Sequence, residues 1–142
     1  MKKTRLISIM LAVITAATVT MSAHAADSSH ETPLWLRRNA ISPDGRQIAF
    51  TYKGDIYVVD SNGGQAKQIT TNAAYDSDPK WTLDSQNIIF SSYREKSKDI
   101  YRIPASGGTP VRLTSHPGNE TPMTVLEDGN IIFSASIQQD AQ

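Results

Sequence analysis

Three acidic residues and two histidines carry most of the chemistry that this chain could perform outside its leader. Asp76, Asp78 and Glu120 stand in short polar stretches between apolar runs, where carboxylates could offer oxygen ligands to a hard cation. A calcium loop brings such oxygens together at compact, alternating spacing. Glu120 lies far along the chain from the aspartates, so the expectation is of loop carboxylates kept hydrated and accepting backbone hydrogen bonds. His116, in Ser115-His116-Pro117-Gly118, and His30 could act as general bases. No Gly-x-Ser-x-Gly elbow accompanies them, and the serines concentrate at turns and strand ends, where a hydroxyl caps backbone groups. His116 is therefore expected as a solvated loop residue and His30 as part of a flexible lead-in. Asp44, Asp84 and Asp128 sit where turns are expected. Trp35, Trp81, Tyr57 and Tyr101 have the bulk to fill a core. No catalytic, cofactor-binding or metal-binding residue is assigned, and the absence of cysteine excludes a thiolate metal site.

The elements that must position these residues come from a unit that recurs at a period of about 40 residues, the signature of a β-propeller blade. Its first copy runs Ile41-Ser42-Pro43-Asp44-Gly45-Arg46-Gln47-Ile48-Ala49-Phe50, then Asp55-Ile56-Tyr57, Gly63-Gly64 and Ile69-Thr70. Its second runs Trp81-Thr82-Leu83-Asp84-Ser85-Gln86-Asn87-Ile88-Ile89-Phe90, then Asp99-Ile100-Tyr101, Gly107-Gly108 and Leu113-Thr114. A third opens at Leu126-Glu127-Asp128-Gly129-Asn130-Ile131-Ile132-Phe133. The spacing predicts all-β blades, four-stranded and antiparallel, about two and a half of them, over approximately residues 39–71, 79–115 and 122–142. First strands are expected at 39–41 and 80–83, second strands at 47–52, 87–92 and 130–136. Third strands fall at 55–59 and 99–103, and fourth strands at 67–70 and 111–114. The spans 71–78 and 115–121 would cross between blades. The link between second and third strands is Lys53-Gly54 in the first copy and four residues longer in the second, at 93–98, growth that a surface loop tolerates. A β-sandwich also has short strands, but it does not require the same side chains at the same offsets.

Residues 1–25 read as a signal peptide. Lys2, Lys3 and Arg5 precede an apolar run from Leu6 to Val19, and Ala23 and Ala25 occupy the positions that a signal peptidase reads. Export to the periplasm or beyond the cell is expected, with no membrane attachment after the leader is removed. Residues 26–32 form a polar lead-in, and 33–142 the partial propeller. The leader holds three of the 14 basic residues and no acidic one, leaving 11 basic against 14 acidic, or −3. That balance offers no basic patch for nucleic acid.

The run from Ser42 to Phe50, with Asp55-Ile56-Tyr57 and Gly63-Gly64, resembles the WD-repeat-like unit shared by the Tol–Pal periplasmic propeller protein, prolyl-oligopeptidase-type enzymes and tricorn-type peptidases. The opening Pro33-Leu34-Trp35-Leu36-Arg37 through Gly45, followed by Ile48-Ala49-Phe50-Thr51-Tyr52-Lys53-Gly54-Asp55-Ile56, is similar to the N-terminal propeller of exported tricorn-like serine peptidases. Residues 74–77 and 114–120 fit that family's inter-blade segments. The resemblance implies a six-bladed ring that admits or filters oligopeptides, with catalysis in C-terminal domains outside this sequence. Implied partners are the oligopeptide or protein substrate and those domains, and no cofactor. The resemblance to the Tol-type protein implies instead a non-enzymatic scaffold for other proteins.

Overall fold

The computed structural model describes residues 36–136, which form ten strands and no helix. The expectations for the leader, the lead-in, His30 and Trp35 lie outside these residues. The first sheet has the order β1-β2-β3-β4: β1 (Arg37–Ile41), β2 (Gln47–Tyr52), β3 (Asp55–Asp60) and β4 (Lys67–Gln68). The second repeats it as β5-β6-β7-β8: β5 (Asp76–Trp81), β6 (Asn87–Ser92), β7 (Asp99–Pro104) and β8 (Val111–Arg112). The third comprises β9 (Asn119–Val125) paired with β10 (Ile131–Ser136). All pairings are antiparallel. Two complete blades and a two-stranded third agree with the period read from the sequence.

Turn chemistry sets the first hairpin of each blade. Ser42 Oγ donates to Asp44 Oδ1 at 2.6 Å and accepts from Gln47 N at 2.9 Å. Thr82 and Asp84 reproduce this in the second blade, at 2.6 Å, with Asn87 N donating to Thr82 Oγ1 at 3.0 Å. Asp44, Asp84 and Asp128 thus serve as turn residues, each also accepting from a backbone N–H two residues on. The position after each aspartate is left-handed: Gly45 at φ 72°, Gly129 at 83° and, unusually for a side-chain-bearing residue, Ser85 at 58°.

The near-continuous apolar second strands follow from burial on both faces. Ile88 and Phe90 of β6 pack with Trp81, Tyr101 and Ile103 against Ala49, Ile56, Val58 and Ile69 of the first blade. Ile89, between them in sequence, points the other way and joins Ile100, Val125 and Ile131 towards the third blade. Trp81 Nε1 adds a hydrogen bond across the blade boundary to Ala40 O at 2.9 Å. Tyr101 is buried in this core, its ring tilted against Phe90 at 5.9 Å, whereas Tyr57 is half-buried and stacked on Phe50 at 5.8 Å.

The first strands lie innermost. β5 packs on β1 and on β9, while β4 and β8 are two-residue, exposed outer edges. Both first strands begin earlier than the sequence suggested. Asp76–Asp78 and Asn119–Thr121 belong to β5 and β9 rather than to crossovers, because each pairs with the far end of its second strand. The fourth strands are correspondingly shorter than expected. Beyond them one backbone bond per blade continues the contact, Ile69 N to Ile56 O and Leu113 N to Ile100 O, both at 2.8 Å, and one hydroxyl returns it, Thr70 Oγ1 accepting from Ile56 N and Thr114 Oγ1 from Ile100 N, both at 2.9 Å.

Candidate functional site

Every described first strand carries a bulge opposite or beside the phenylalanine of its second strand. Pairing slips between Arg37 and Ala40 opposite Phe50, between Ser77 and Lys80 opposite Phe90, and at Met123 beside Phe133. Bulges bend a strand and re-aim its side chains. Here they place Arg38 and Asp78, which occupy the same repeat position and share left-handed φ values of 51° and 60°, against one another across the blade boundary. Arg38 donates to Asp78 Oδ1. Lys98, at the end of the long link between β6 and β7, donates to Asp78 Oδ2 at 2.8 Å and to Thr121 Oγ1 at 3.0 Å. Ser77 Oγ adds a bond to Asp78 at 2.7 Å. One polar chain therefore links three blades along their innermost strands.

Burial alone would raise the Asp78 carboxyl, but the bonds from Lys98, Ser77 and Arg38 together outweigh it and hold the group below the usual carboxylate range. Asp78 is thus an acceptor fixed in its charged form, not a proton donor near neutrality.

A second acid precedes it. Asp76 is fully buried and takes a bond from Arg94 at 2.9 Å, while its backbone N–H donates to Gly54 O of the first blade at 2.7 Å. Arg94 itself bonds Ser92 and lies over the rings of Phe90 and Tyr101, an arrangement suited to a half-buried guanidinium. Glu120 repeats the backbone contact, donating to Lys98 O at 2.7 Å. Its Oε2 and Asp76 Oδ1 have no hydrogen-bond partner among the described residues. Asp55 sits close enough to Asp76 to feel its charge. Burial pushes Asp55 upward first and the Asp76 carboxylate adds to this, against bonds from Thr70 and Gln68. Asp99, the matching residue in the second blade, has Arg112 at 2.8 Å from Oδ2, close but without hydrogen-bond alignment.

These positions correct the expectation of hydrated loop carboxylates. Asp76, Asp78 and Glu120 are buried strand residues; cations meet the two aspartates, Arg94 at Asp76 and Arg38 and Lys98 at Asp78, as a buried charge requires. The structure brings Asp76 and Asp78 close to Arg94, Arg38 and Lys98. It does not assemble a cation cage, and among the described residues no cluster of three His, Cys, Asp or Glu side chains could hold a metal ion. His116 is exposed in its loop, its Nδ1 accepting from Gly118 N at 3.1 Å and its carbonyl from Ser97 Oγ at 3.1 Å. Among the described residues, nothing orients it as a base towards a nucleophile. Arg38, Arg94 and Lys98 went unremarked in the sequence; the shared repeat offset of Arg38 and Asp78 was the available signal.

At the opposite end of the blades, where β1 turns into β2 and β3 into β4, a cleft of about 600 Å³ opens between the first two blades. Asp44, Arg46, Asp60, Lys67 and Gln86 line it, all exposed, and Lys67 Nζ spans it to Ser106 O at 2.6 Å. The arrangement as a whole can present fixed charge along an inner wall and hold blades in register; it contains no nucleophile–base pair.

One known protein is similar in sequence, and three solved structures are similar in fold. The chain is 26% identical over 72 residues to Tricorn protease homolog 1 of Streptomyces coelicolor (strain ATCC BAA-471 / A3(2) / M145), a match covering 51% of this chain and 7% of that protein. The crystal structure of the tricorn protease superposes with a TM-score of 0.62 at 22% identity, over 72% of this chain and 11% of that one. A protein assigned as TolB from Agrobacterium tumefaciens gives 0.68 at 22% identity, over 74% and 40%. TolB from Acinetobacter baumannii gives 0.59 at 29% identity, over 68% and 25%. The two likenesses at 22% identity concern the fold alone. In each case the chain spans less than half of the relative's length. Residues 33–142 match the model of the tricorn protease N-terminal beta propeller domain, and the chain belongs to that family.

Proposed function

We propose that this chain is the propeller-forming portion of an exported tricorn-like serine peptidase, gating the access of oligopeptides to a catalytic core supplied by other segments. The observation that carries the reading is the family match across residues 33–142. The charged inner strands support it. Arg38, Asp78 and Lys98 hold adjacent blades together, as a rim must be held if it is to pass extended peptides and retain folded ones. The leader at residues 1–25, with Ala23 and Ala25 at the cleavage positions, supports export. Catalytic residues belong to the core, and the segment described here filters.

The test is recovery of the native polypeptide from cells with antibodies against a peptide spanning residues 55–67, followed by its intact mass and an oligopeptide hydrolysis assay. A species several times heavier than 142 residues, whose hydrolysis is blocked by a serine-reactive phosphonate, is expected. A species no heavier than this chain, without hydrolysis, refutes the reading. A second reading, a non-enzymatic scaffold, is favoured by the two TolB superpositions. It is distinguished by a heavier native species that hydrolyses nothing and co-purifies with a fixed protein partner.

A further inference from the structure

We infer that the cleft between the first two blades binds a short peptide by its two charged ends, the ammonium group at Asp60 and the carboxylate at Arg46. The cleft has a volume of about 600 Å³, within the range of small-ligand sites, and every residue lining it belongs to the two complete blades. It lies at the opposite end of these blades from the chain of Arg38, Asp78 and Lys98. Two contacts between blades close its ends. Near the inner strands Asp44 N donates to Ser85 Oγ at 3.2 Å, and at the outer edge Lys67 Nζ donates to Ser106 O at 2.6 Å. Ser85 makes its contact from a left-handed φ of 58°, where the other two described hairpins have Gly45 and Gly129. Backbone strain of that kind collects at functional sites.

Register and alternation place the charges of one wall. Gln47 stands opposite Asp60, and Val58 opposite Lys67. Val58 is buried in the core shared with the second blade, so alternation turns Asp60, two residues on, to the same side. Lys67 is a diagonal neighbour of Asp60 on that side, yet it reaches across the cleft to a neutral carbonyl. Asp60 Oδ1 takes Asn62 N at 2.8 Å and Asn62 Nδ2 at 3.1 Å, and Oδ2 is left without a donor among the described residues. The Arg46 backbone is engaged, its N–H with Asp44 Oδ1 at 3.1 Å and its carbonyl with Ser61 N at 2.8 Å. Its guanidinium favours the Asp44 charge from a distance, and among the described residues no ion pair joins Asp44, Arg46, Asp60 and Lys67 to one another. Two signs held apart in one cleft are complementary to a zwitterion, which meets both at once. The facing wall is uncharged, and Gln86, whose Nε2 donates to Asp84 O at 3.3 Å, keeps its side-chain oxygen for a peptide N–H. Neighbouring strands are about 4.8 Å apart and an extended residue spans about 3.5 Å, which limits the ligand to two or three residues.

The experiment titrates the full chain, labelled with nitrogen-15, with tri-alanine and follows the amide resonances. Saturable shifts are expected at residues 44–47, 60, 67 and 85–86. Acetylating the peptide's amine or amidating its carboxylate should each weaken binding about fivefold, the upper worth of an exposed ion pair. Arg46→Gln should bind the free acid no better than the amide while still discriminating against the acetylated peptide, and Asp60→Asn should show the reverse. Should either variant fail to fold, the capped peptides against the unaltered chain give the same reading. Equal binding of a peptide capped at both ends overturns the inference, as do shifts confined to other residues or the absence of shifts at the peptide's solubility limit. Loss of the amidation effect in Lys67→Met but not in Arg46→Gln overturns the place given to the carboxylate.

Discussion

Lys98→Met should cost far more stability than Arg38→Met, although both remove a cation from the same carboxylate. Lys98 is 13% exposed and Arg38 61%. Removing one partner of a fully buried ion pair costs about 3–5 kcal/mol. Asp78 would keep Ser77 and Arg38 as donors, and methionine preserves most of the lysine stem, so the expected loss falls below that range, at about 2 kcal/mol. An exposed pair is worth about 0–1 kcal/mol after screening and side-chain entropy. With a urea slope of about 1–1.5 kcal/mol per M for a domain of this size, Lys98→Met lowers the midpoint by about 1.5 M and Arg38→Met by well under 1 M. Equal midpoints for the two variants, or a neutral Lys98→Met, would refute the assignment of Lys98 as the buried partner.

The pH dependence has a definite sign. Asp78 has a folded pKa below the ordinary value of 3.8, so its contribution is fully present above 3.8 and is lost as the pH falls through the lower folded value. Lys98→Met removes the leading counter-charge, and its acid-side loss of stability should shrink accordingly. Urea midpoints taken between pH 2 and pH 7 measure both effects on the same samples.

Asp55 should behave in the opposite way, because its folded pKa is raised: Asp55→Asn is expected to raise the urea midpoint at pH 7, and the wild type should catch up as the pH drops through the folded pKa towards 3.8. A constant difference across that window would show that its charge is irrelevant. Ser85→Gly relieves a left-handed φ of 58° at the cost of one exposed 3.2 Å bond from Asp44 N, for a net gain of about 0.5–1 kcal/mol; a lower melting temperature would contradict it. Gly118→Ala would put Cβ 2.5 Å from Ser136 O. Backbone cannot yield as a flexible side chain does, so a loss of about 2 kcal/mol, with faster hydrogen exchange in β10, is expected; unchanged exchange would show that the approach relaxes freely.

The blades were legible because their signals are local. Proline, glycine and aspartate at the first hairpin and the Gly63-Gly64 and Gly107-Gly108 turns specify backbone shape within a few residues. A doubly covered strand needs only a run such as Ile88-Ile89-Phe90. The limits of the first strands were misread for the same reason. Asp76-Ser77-Asp78-Pro79 has the composition of a loop, and only pairing with β6, remote in sequence, makes it a strand. The left-handed conformation of Asp78, which interrupts that pairing, is one that aspartate tolerates better than most residues.

The buried acids were illegible because the groups that neutralise them arrive from elsewhere. Taken alone, a carboxylate in a polar stretch belongs in water, and burying it unpaired would cost several kcal/mol, on the order of the whole domain's stability. The counter-ions come on the link between β6 and β7, where the second repeat is four residues longer than the first. That enlargement reads as the tolerance of a surface loop, yet it contains both Arg94, which meets Asp76, and Lys98, which meets Asp78 and reaches Thr121. The first blade has only Lys53-Gly54 there, and the opposing position on its first strand is held by Arg38, a cation. Acid and insertion therefore go together: a repeat that places carboxylates on its inner strand needs a link long enough to bring cations back to them. Variation in loop length between repeats is, in this chain, information about charge on the inner strands.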